Sequence, residues 1–172
     1  LGLARTDRRF PQKGTCLAVY SYAVNAAAPL EQVLRDAFPW CAEWAAELKR
    51  LFSGYVAAKQ RQGVLDYDDL LLWWERMARV PEIAAALGAR FDHVLVDEYQ
   101  DTNRIQAGIL KALKPGGLGV TVVGDDAQAI YAFRAATVRN MLEFEQAFAA
   151  ERVALTRNYR STQPILTAAN AV

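Results

Sequence analysis

Between residues 42 and 60 the apolar positions Trp44, Leu48, Leu51, Phe52, Tyr55 and Val56 recur at intervals of three and four, with charged residues between them. That spacing predicts an amphipathic helix, and such a stripe is ordinarily core. The polar stretch Lys59-Gln60-Arg61-Gln62-Gly63 suits a flexible boundary between two parts of the chain. A second helix is expected after Leu65, with Asp66 as its cap, Leu70, Leu71, Trp73, Trp74 and Met77 as its apolar positions, and Pro81 ending it or starting the next. Beyond residue 90 the pattern changes. His93-Val94-Leu95-Val96 ends abruptly in Asp97-Glu98, and Gly119-Val120-Thr121-Val122-Val123 ends in Gly124-Asp125-Asp126. Uninterrupted apolar runs bounded by turn residues predict strands buried on both faces, as in a parallel sheet with crossover helices. A helix over 102–113 is expected between them, stopped by Pro115-Gly116-Gly117. A helix over 137–149, a third strand over 152–155 and a last helix near Pro164, capped by Ser161 or Thr162, complete the pattern. The layout is α/β, with flanking helices on a parallel sheet and an all-helical part in front. In such sheets ligands bind at the carboxyl ends of the strands, where the acidic clusters fall.

Composition narrows the class. The 172 residues, 53% of them hydrophobic and 23% charged, suffice for one domain or a domain with a lobe. A formal net charge of +1 and this apolar fraction exclude disorder as the main state. The balance of 20 basic against 19 acidic residues carries no hint of the basic coat of a generic nucleic-acid binder. Cys16 and Cys41 lie far apart, without CxxC spacing or a nearby histidine, and are expected as buried thiols of a reducing compartment, not as a zinc site or a disulfide. Charged residues or prolines interrupt every Ala-rich stretch, so neither a membrane span nor a signal peptide is expected. The chain opens on Leu1 without a methionine, and Leu1-Gly2-Leu3-Ala4-Arg5 reads as the interior of a longer protein.

Three segments carry candidate chemistry. Asp97-Glu98 sets two adjacent carboxylates at the tip of a buried strand, which is costly unless a cation balances them. Asp97 suits a Mg²⁺ that accompanies a nucleotide, and Glu98 suits the orientation or deprotonation of an attacking water. The plainer reading is a solvated turn whose acids cap the next helix. In Gly124 to Ala136, Gln128 offers an amide able to read a terminal phosphate, while Tyr131, Phe133 and Arg134 suit stacking on unpaired bases and contact with a phosphate backbone, or are simply core. After the third run, Arg160 in Asn158-Tyr159-Arg160-Ser161 suits a γ-phosphate, or is an ordinary surface arginine.

Taken together these strings resemble a known family. Asp97-Glu98-Tyr99-Gln100-Asp101-Thr102-Asn103 resembles the Walker B box of the UvrD/Rep/PcrA helicases of superfamily 1, Gly124 to Ala136 their third motif, and Asn158-Tyr159-Arg160-Ser161 their fourth. Asp66-Tyr67-Asp68-Asp69-Leu70-Leu71 resembles the aspartate-rich helix start that precedes Walker B. Four matches in order are highly specific. The resemblance implies part of a RecA-like P-loop ATPase sheet over 64–172, the second half of subdomain 1A, preceded by a helical 1B-like part over 1–63. It implies ATP and Mg²⁺ as cofactors. Asp97 would hold the metal, Glu98 act as hydrolytic base, Gln128 sense the γ-phosphate and Arg160 contact it. Tyr131, Phe133 and Arg134 would hold single-stranded DNA, with Phe133 where Trp is common. The partners implied are single-stranded and duplex DNA and the remaining lobes of the same chain, with no membrane, in a bacterial cytoplasm near the nucleoid.

No G-x-x-x-x-G-K-S/T occurs in the 172 residues, so the phosphate cradle that such a site needs is not among them. The expectation is half of an ATPase site, catalytically silent alone. Two other readings stand beside it: a DNA-binding or regulatory module without ATPase activity, and a piece of a helicase-nuclease of the RecB or AddA kind.

Overall fold

Helix-forming sequence dominates the first half of the computed structural model, which describes residues 9–130 and 135–171. Helix α1 (Lys13–Ala26) is followed by α2 (Leu30–Asp36), a 3₁₀ turn over Pro39–Trp44 and α3 (Ala45–Gln62). Their apolar faces close a first core of Cys16, Val19, Val33, Leu34, Cys41, Trp44 and Leu48. Edge-to-face ring pairs, Phe10 on Trp44 and Tyr22 on Phe38, seal its margin. The two cysteines are buried free thiols, as their isolation in the sequence suggests. Burial pushes both thiols above their ordinary pKa, so neither is a reactive nucleophile.

Helix α4 (Tyr67–Ala78) starts where Asp66 predicts. The Asp66 carboxylate accepts from the Asp69 N–H at 2.8 Å, and Asp69 accepts from the Asp66 N–H at 3.1 Å, a reciprocal capping box. Helix α5 (Pro81–Gly88) follows, with proline in its first turn. Strand β1 (Val94–Val96), helix α6 (Arg104–Leu113) and strand β2 (Val120–Val122) then form a strand–helix–strand unit. The strands pair in parallel, with Val94 opposite Val120 and Val96 opposite Val122. Short helices α7 (Arg139–Leu142) and α8 (Phe144–Phe148) lead to α9 (Gln163–Ala169). A second core of Tyr99, Leu110, Phe144 and Phe148 packs with Val94, Val96, Val120 and Val122.

Several sequence expectations are corrected. The segment 152–155 forms no strand: Val153 and Leu155 are exposed, and among the described residues no sheet edge pairs with it. A β-branched run becomes a strand only where a neighbour supplies hydrogen bonds, and here Arg152 is tied instead to Glu145 of α8. The expected helix over 137–149 is two helices broken at Glu143, and the second stops at Ala149 in the left-handed region. Nor are the strands covered on both faces. Leu95 is 75% exposed, because among the described residues the second core covers the other face of the pair. Finally, Lys59 does not sit in a flexible boundary: α3 runs on to Gln62, and Gly63 ends it at φ 64°, the left-handed turn that glycine adopts without cost. Among the described residues no helix is long and apolar enough to cross a membrane.

Lys59 is in fact a rivet. It is only 7% exposed, and its ammonium donates to Asp66 and Asp69 at 2.6 Å each and to the Tyr20 hydroxyl at 3.2 Å, facing the rings of Tyr20 and Tyr55. One side chain thus joins α1, α3 and the cap of α4. A second polar chain runs parallel to it. Ser21 and Asn25 of α1 both donate to Asp68 of α4, at 3.0 and 2.7 Å, and Asn25 accepts from Asn103 at 2.8 Å. Asn103 is in turn the cap of α6, accepting from the Gln106 N–H at 2.9 Å. Buried amides and charges are tolerated here because each has its partner.

The rivet sets the stability profile. Burial alone would lower the Lys59 pKa, but the hydrogen bonds to Asp66, Asp69 and Tyr20 outweigh it, and the pKa lies above the ordinary lysine value. For Asp66, burial would raise the pKa, yet Lys59 and the Asp69 N–H hold it below the carboxylate range. A depressed carboxyl contributes stability that is present above its unfolded pKa of about 4 and lost as pH falls through the folded value. The raised lysine contributes below its unfolded pKa of about 10 and loses that contribution only as pH rises through the folded value. Replacing Lys59 by Met leaves two carboxylates unpaired and should lower the unfolding free energy by about 3 kcal/mol near neutrality. Denaturant titration from pH 3 to pH 8 should show that deficit shrinking as pH falls below about 4 and toward the depressed folded value of Asp66 in the parent.

Candidate active site

Parallel pairing brings the ends of β1 and β2 to one level. The Val123 N–H donates to the Val96 carbonyl at 2.8 Å, and the Tyr99 N–H donates back to the Val123 carbonyl at 3.0 Å. Both chains must then turn at once, and each does so through acids. Asp97 accepts from the Glu98 N–H at 3.0 Å. Glu98 itself adopts φ 51° and ψ 43°, a left-handed conformation that costs a residue with a Cβ roughly 1–2 kcal/mol. After β2, Asp125 caps a 3₁₀ turn over Asp126–Gln128: one of its oxygens accepts from the Ala127 N–H at 3.0 Å and the other from the Gln128 amide at 2.8 Å.

The two turns are joined by Gln100, a residue of the acidic string to which the sequence reading assigned no role. Gln100 is 1% exposed. Its Nε2 donates to Glu98 Oε2 at 2.6 Å, and its Oε1 accepts from the Asp125 N–H at 3.1 Å. Gly124 makes room for it, since a Cβ there would lie 2.6 Å from Gln100 Oε1 and 3.2 Å from Met141 Sδ. A neutral amide standing two residues beyond the acid pair is the signal that could have marked Gln100, because an amide can donate to a carboxylate and accept from an N–H at once.

These turns line one side of a cleft of about 1130 Å³, to which Asp97, Glu98, Asp125, Asp126, Gln128 and Arg160 all contribute. Its lining also includes β2 and the exposed segment around Val153 and Leu155. Arg160 stands in a turn held by Asn158, whose side-chain oxygen accepts from the N–H groups of Arg160 and Ser161 at 2.9 and 2.8 Å. The acids and Arg160 are exposed at the surface of the cleft. Asp101 is not part of its lining, and its Oδ1 is buried without a hydrogen-bond partner among the described residues. Tyr131, Phe133 and Arg134, the residues expected to meet single-stranded DNA, lie outside the described residues.

The donor set decides what cation the cleft suits. Among the described residues no three His, Cys, Asp or Glu side chains converge into a metal cage. One or two carboxylates at a strand end, open to a cleft, are instead the hard oxygen set that Mg²⁺ uses when phosphates complete its shell. The residues present therefore fit a nucleotide-bound magnesium and not a resident structural metal. Gln128 and Arg160 both line this cleft.

Comparison with known proteins agrees with the four motifs. Residues 19–149 match the model of the UvrD/REP helicase N-terminal domain. The ATP-dependent DNA helicase PcrA of Staphylococcus aureus (strain Mu50) is 41% identical over 124 residues, covering 71% of this chain and 17% of the relative. PcrA of Staphylococcus epidermidis is 40% identical over a stretch of the same length. DNA helicase II of Haemophilus influenzae is 34% identical over 165 residues, 95% of this chain and 22% of its own. The chain thus spans about a fifth of the length of these relatives. With most of its residues matched, from α1 through both acidic turns, the chain belongs to the UvrD/Rep helicase family.

Proposed function

We propose that this chain is the part of an ATP-dependent DNA helicase that carries the hydrolytic half of its ATP site, coupling hydrolysis to translocation along single-stranded DNA and to duplex unwinding. The observation that carries this reading is the cleft at the ends of the parallel strands, where Asp97, Glu98, Gln128 and Arg160 stand on common ground. On this reading 64–172 form the second half of a RecA-like lobe and 1–63 a helical insertion over the DNA path.

The roles follow from position and chemistry. Bound MgATP supplies the scissile phosphoanhydride and the charge that makes its γ-phosphorus electrophilic. Asp97, at the tip of β1, is the carboxylate that holds the metal, and the adjacent negative charge of Glu98 becomes tolerable once a dication is near. Glu98 orients a water and accepts its proton. The two acids already differ in partner, Asp97 accepting from the Glu98 N–H and the Glu98 carboxylate from Gln100. Gln128, neutral and tied to Asp125, presents an amide to the terminal phosphate without repelling it. Arg160 faces the same space with no carboxylate paired to it among the described residues, and so retains its charge for the γ-phosphate. Tyr131, Phe133 and Arg134, a few residues past Gln128 in the sequence, hold the single strand, so that phosphate sensor and DNA grip are near neighbours along the chain.

Two measurements test the reading. In the full-length protein, Glu98→Gln should leave ATP binding within a few-fold and reduce DNA-stimulated hydrolysis by about 10²–10⁴-fold; near-normal turnover refutes Glu98 as base. The purified 172 residues, which contain no G-x-x-x-x-G-K-S/T loop, should hydrolyse no ATP with or without single-stranded DNA. Measurable DNA-stimulated turnover by them would show that the phosphate cradle is supplied by other groups.

A further inference from the structure

We infer that Gln100 is a positioning residue for hydrolysis, a buried amide that locks the Glu98 carboxylate to the Gln128 turn so that base and phosphate sensor move as one unit. The inference rests on the proposed role of Glu98 and deepens it.

The geometry is a continuous chain of four side chains and one backbone amide. Glu98 Oε2 accepts from Gln100 Nε2 at 2.6 Å, Gln100 Oε1 accepts from the Asp125 N–H at 3.1 Å, and Asp125 Oδ2 accepts from Gln128 Nε2 at 2.8 Å. Gln100 is the only link of that chain out of contact with water, at 1% exposure; Glu98, Asp125 and Gln128 are exposed. A hydrogen bond to a carboxylate made from a buried, sterically held donor restrains an otherwise free surface side chain. The donor is held from its other end, because Oε1 of the same amide accepts from the Asp125 N–H, and Gly124, lacking a Cβ, lets that backbone pass close beside it.

The choice of glutamine follows from what each end must do. One end faces a carboxylate and must donate, while the other faces an N–H and must accept. Lysine has no acceptor, glutamate has no donor when ionised, and leucine has neither. Filling space would need no amide at all, and burying one without partners carries a penalty that an aliphatic side chain avoids. Because Glu98 Oε2 is committed to Gln100, its other oxygen is left to meet a water in the cleft. A base held in this way is oriented before substrate arrives, and misplacement by about 1 Å can cost on the order of 10²-fold in rate.

The test is made in the full-length helicase, reading single-stranded-DNA-stimulated ATP hydrolysis. Gln100→Glu keeps the volume and the acceptor for the Asp125 N–H but loses the donor; Gln100→Leu loses both. Each should lower kcat by about 10–100-fold with the KM for ATP within about threefold, the split expected when orientation and not binding is lost. The double variant Glu98→Gln with Gln100→Glu should hydrolyse no more slowly than Glu98→Gln alone, since a residue that acts through the base has nothing left to position. A merely structural Gln100 would instead slow the Glu98→Gln enzyme further by the same factor. Should Gln100→Leu fail to fold, Gln100→Met, which keeps the side-chain length but neither polar end, decides. Turnover within twofold of the parent, a rise in KM at constant kcat, or additive losses in the double variant each overturn the inference. If Glu98→Gln is inactive while Gln100→Glu is normal, the base assignment stands and the positioning role alone falls. If Glu98→Gln is itself near normal, both fall.

Discussion

Everything at the cleft depends on the register of two three-residue strands. Because Val96 stands opposite Val122 in a parallel pair, both chains leave the sheet at one level and on one side. Antiparallel pairing would have sent the two acidic turns to opposite ends. The apolar contacts that hold the register are few: Tyr99, Leu110, Phe144 and Phe148 against four valines. Two of the core residues, Tyr99 within the acidic string and Leu110 within the helix that follows it, belong to both, so the packing that makes the sheet also aims the turns.

Around this small sheet the helices are joined by buried polar contacts as much as by hydrophobic ones. The first core is conventional, but between it and the strands stand Lys59 with two aspartates, and Asn25 between Asp68 and Asn103. Such contacts are directional. They require one spacing and one rotation of α1 against α4 and α6, whereas an apolar seam would tolerate sliding. The aspartate-rich start of α4 thus does two things: Asp66 and Asp69 cap the helix and hold Lys59, and Asp68 receives α1.

How far the sequence foretold this follows from the range over which each signal acts. The helix beginning near residue 45 and the cap at Asp66 were legible, because a spacing of three or four and a capping box are complete within a few residues. The two strands and the helix between them were legible for the same reason. The run 152–155 reads as a strand by composition, yet pairing is a property of a neighbour that composition does not contain. Lys59 looked like part of a polar hinge, since its aspartates lie beyond the turn at Gly63. Gln100 stood in plain view within the acidic string, but its importance lies in a contact with Asp125, on the next strand's turn. The motifs pointed to residues that line one cleft; the contacts that tie those residues together were visible only once the chain was folded.

The ammonium of Lys59 also has a mechanical meaning. A junction between helices that rests on two short charged contacts and a hydroxyl, sheltered from solvent, has little compliance: displacing it by an ångström or two breaks several interactions together and not one at a time. Gly63, just beyond, is the natural place for a hinge, but the clasp lies across it, joining the residues on either side. Swinging α1 and α3 away from the start of α4 therefore means giving up all of these contacts in one step.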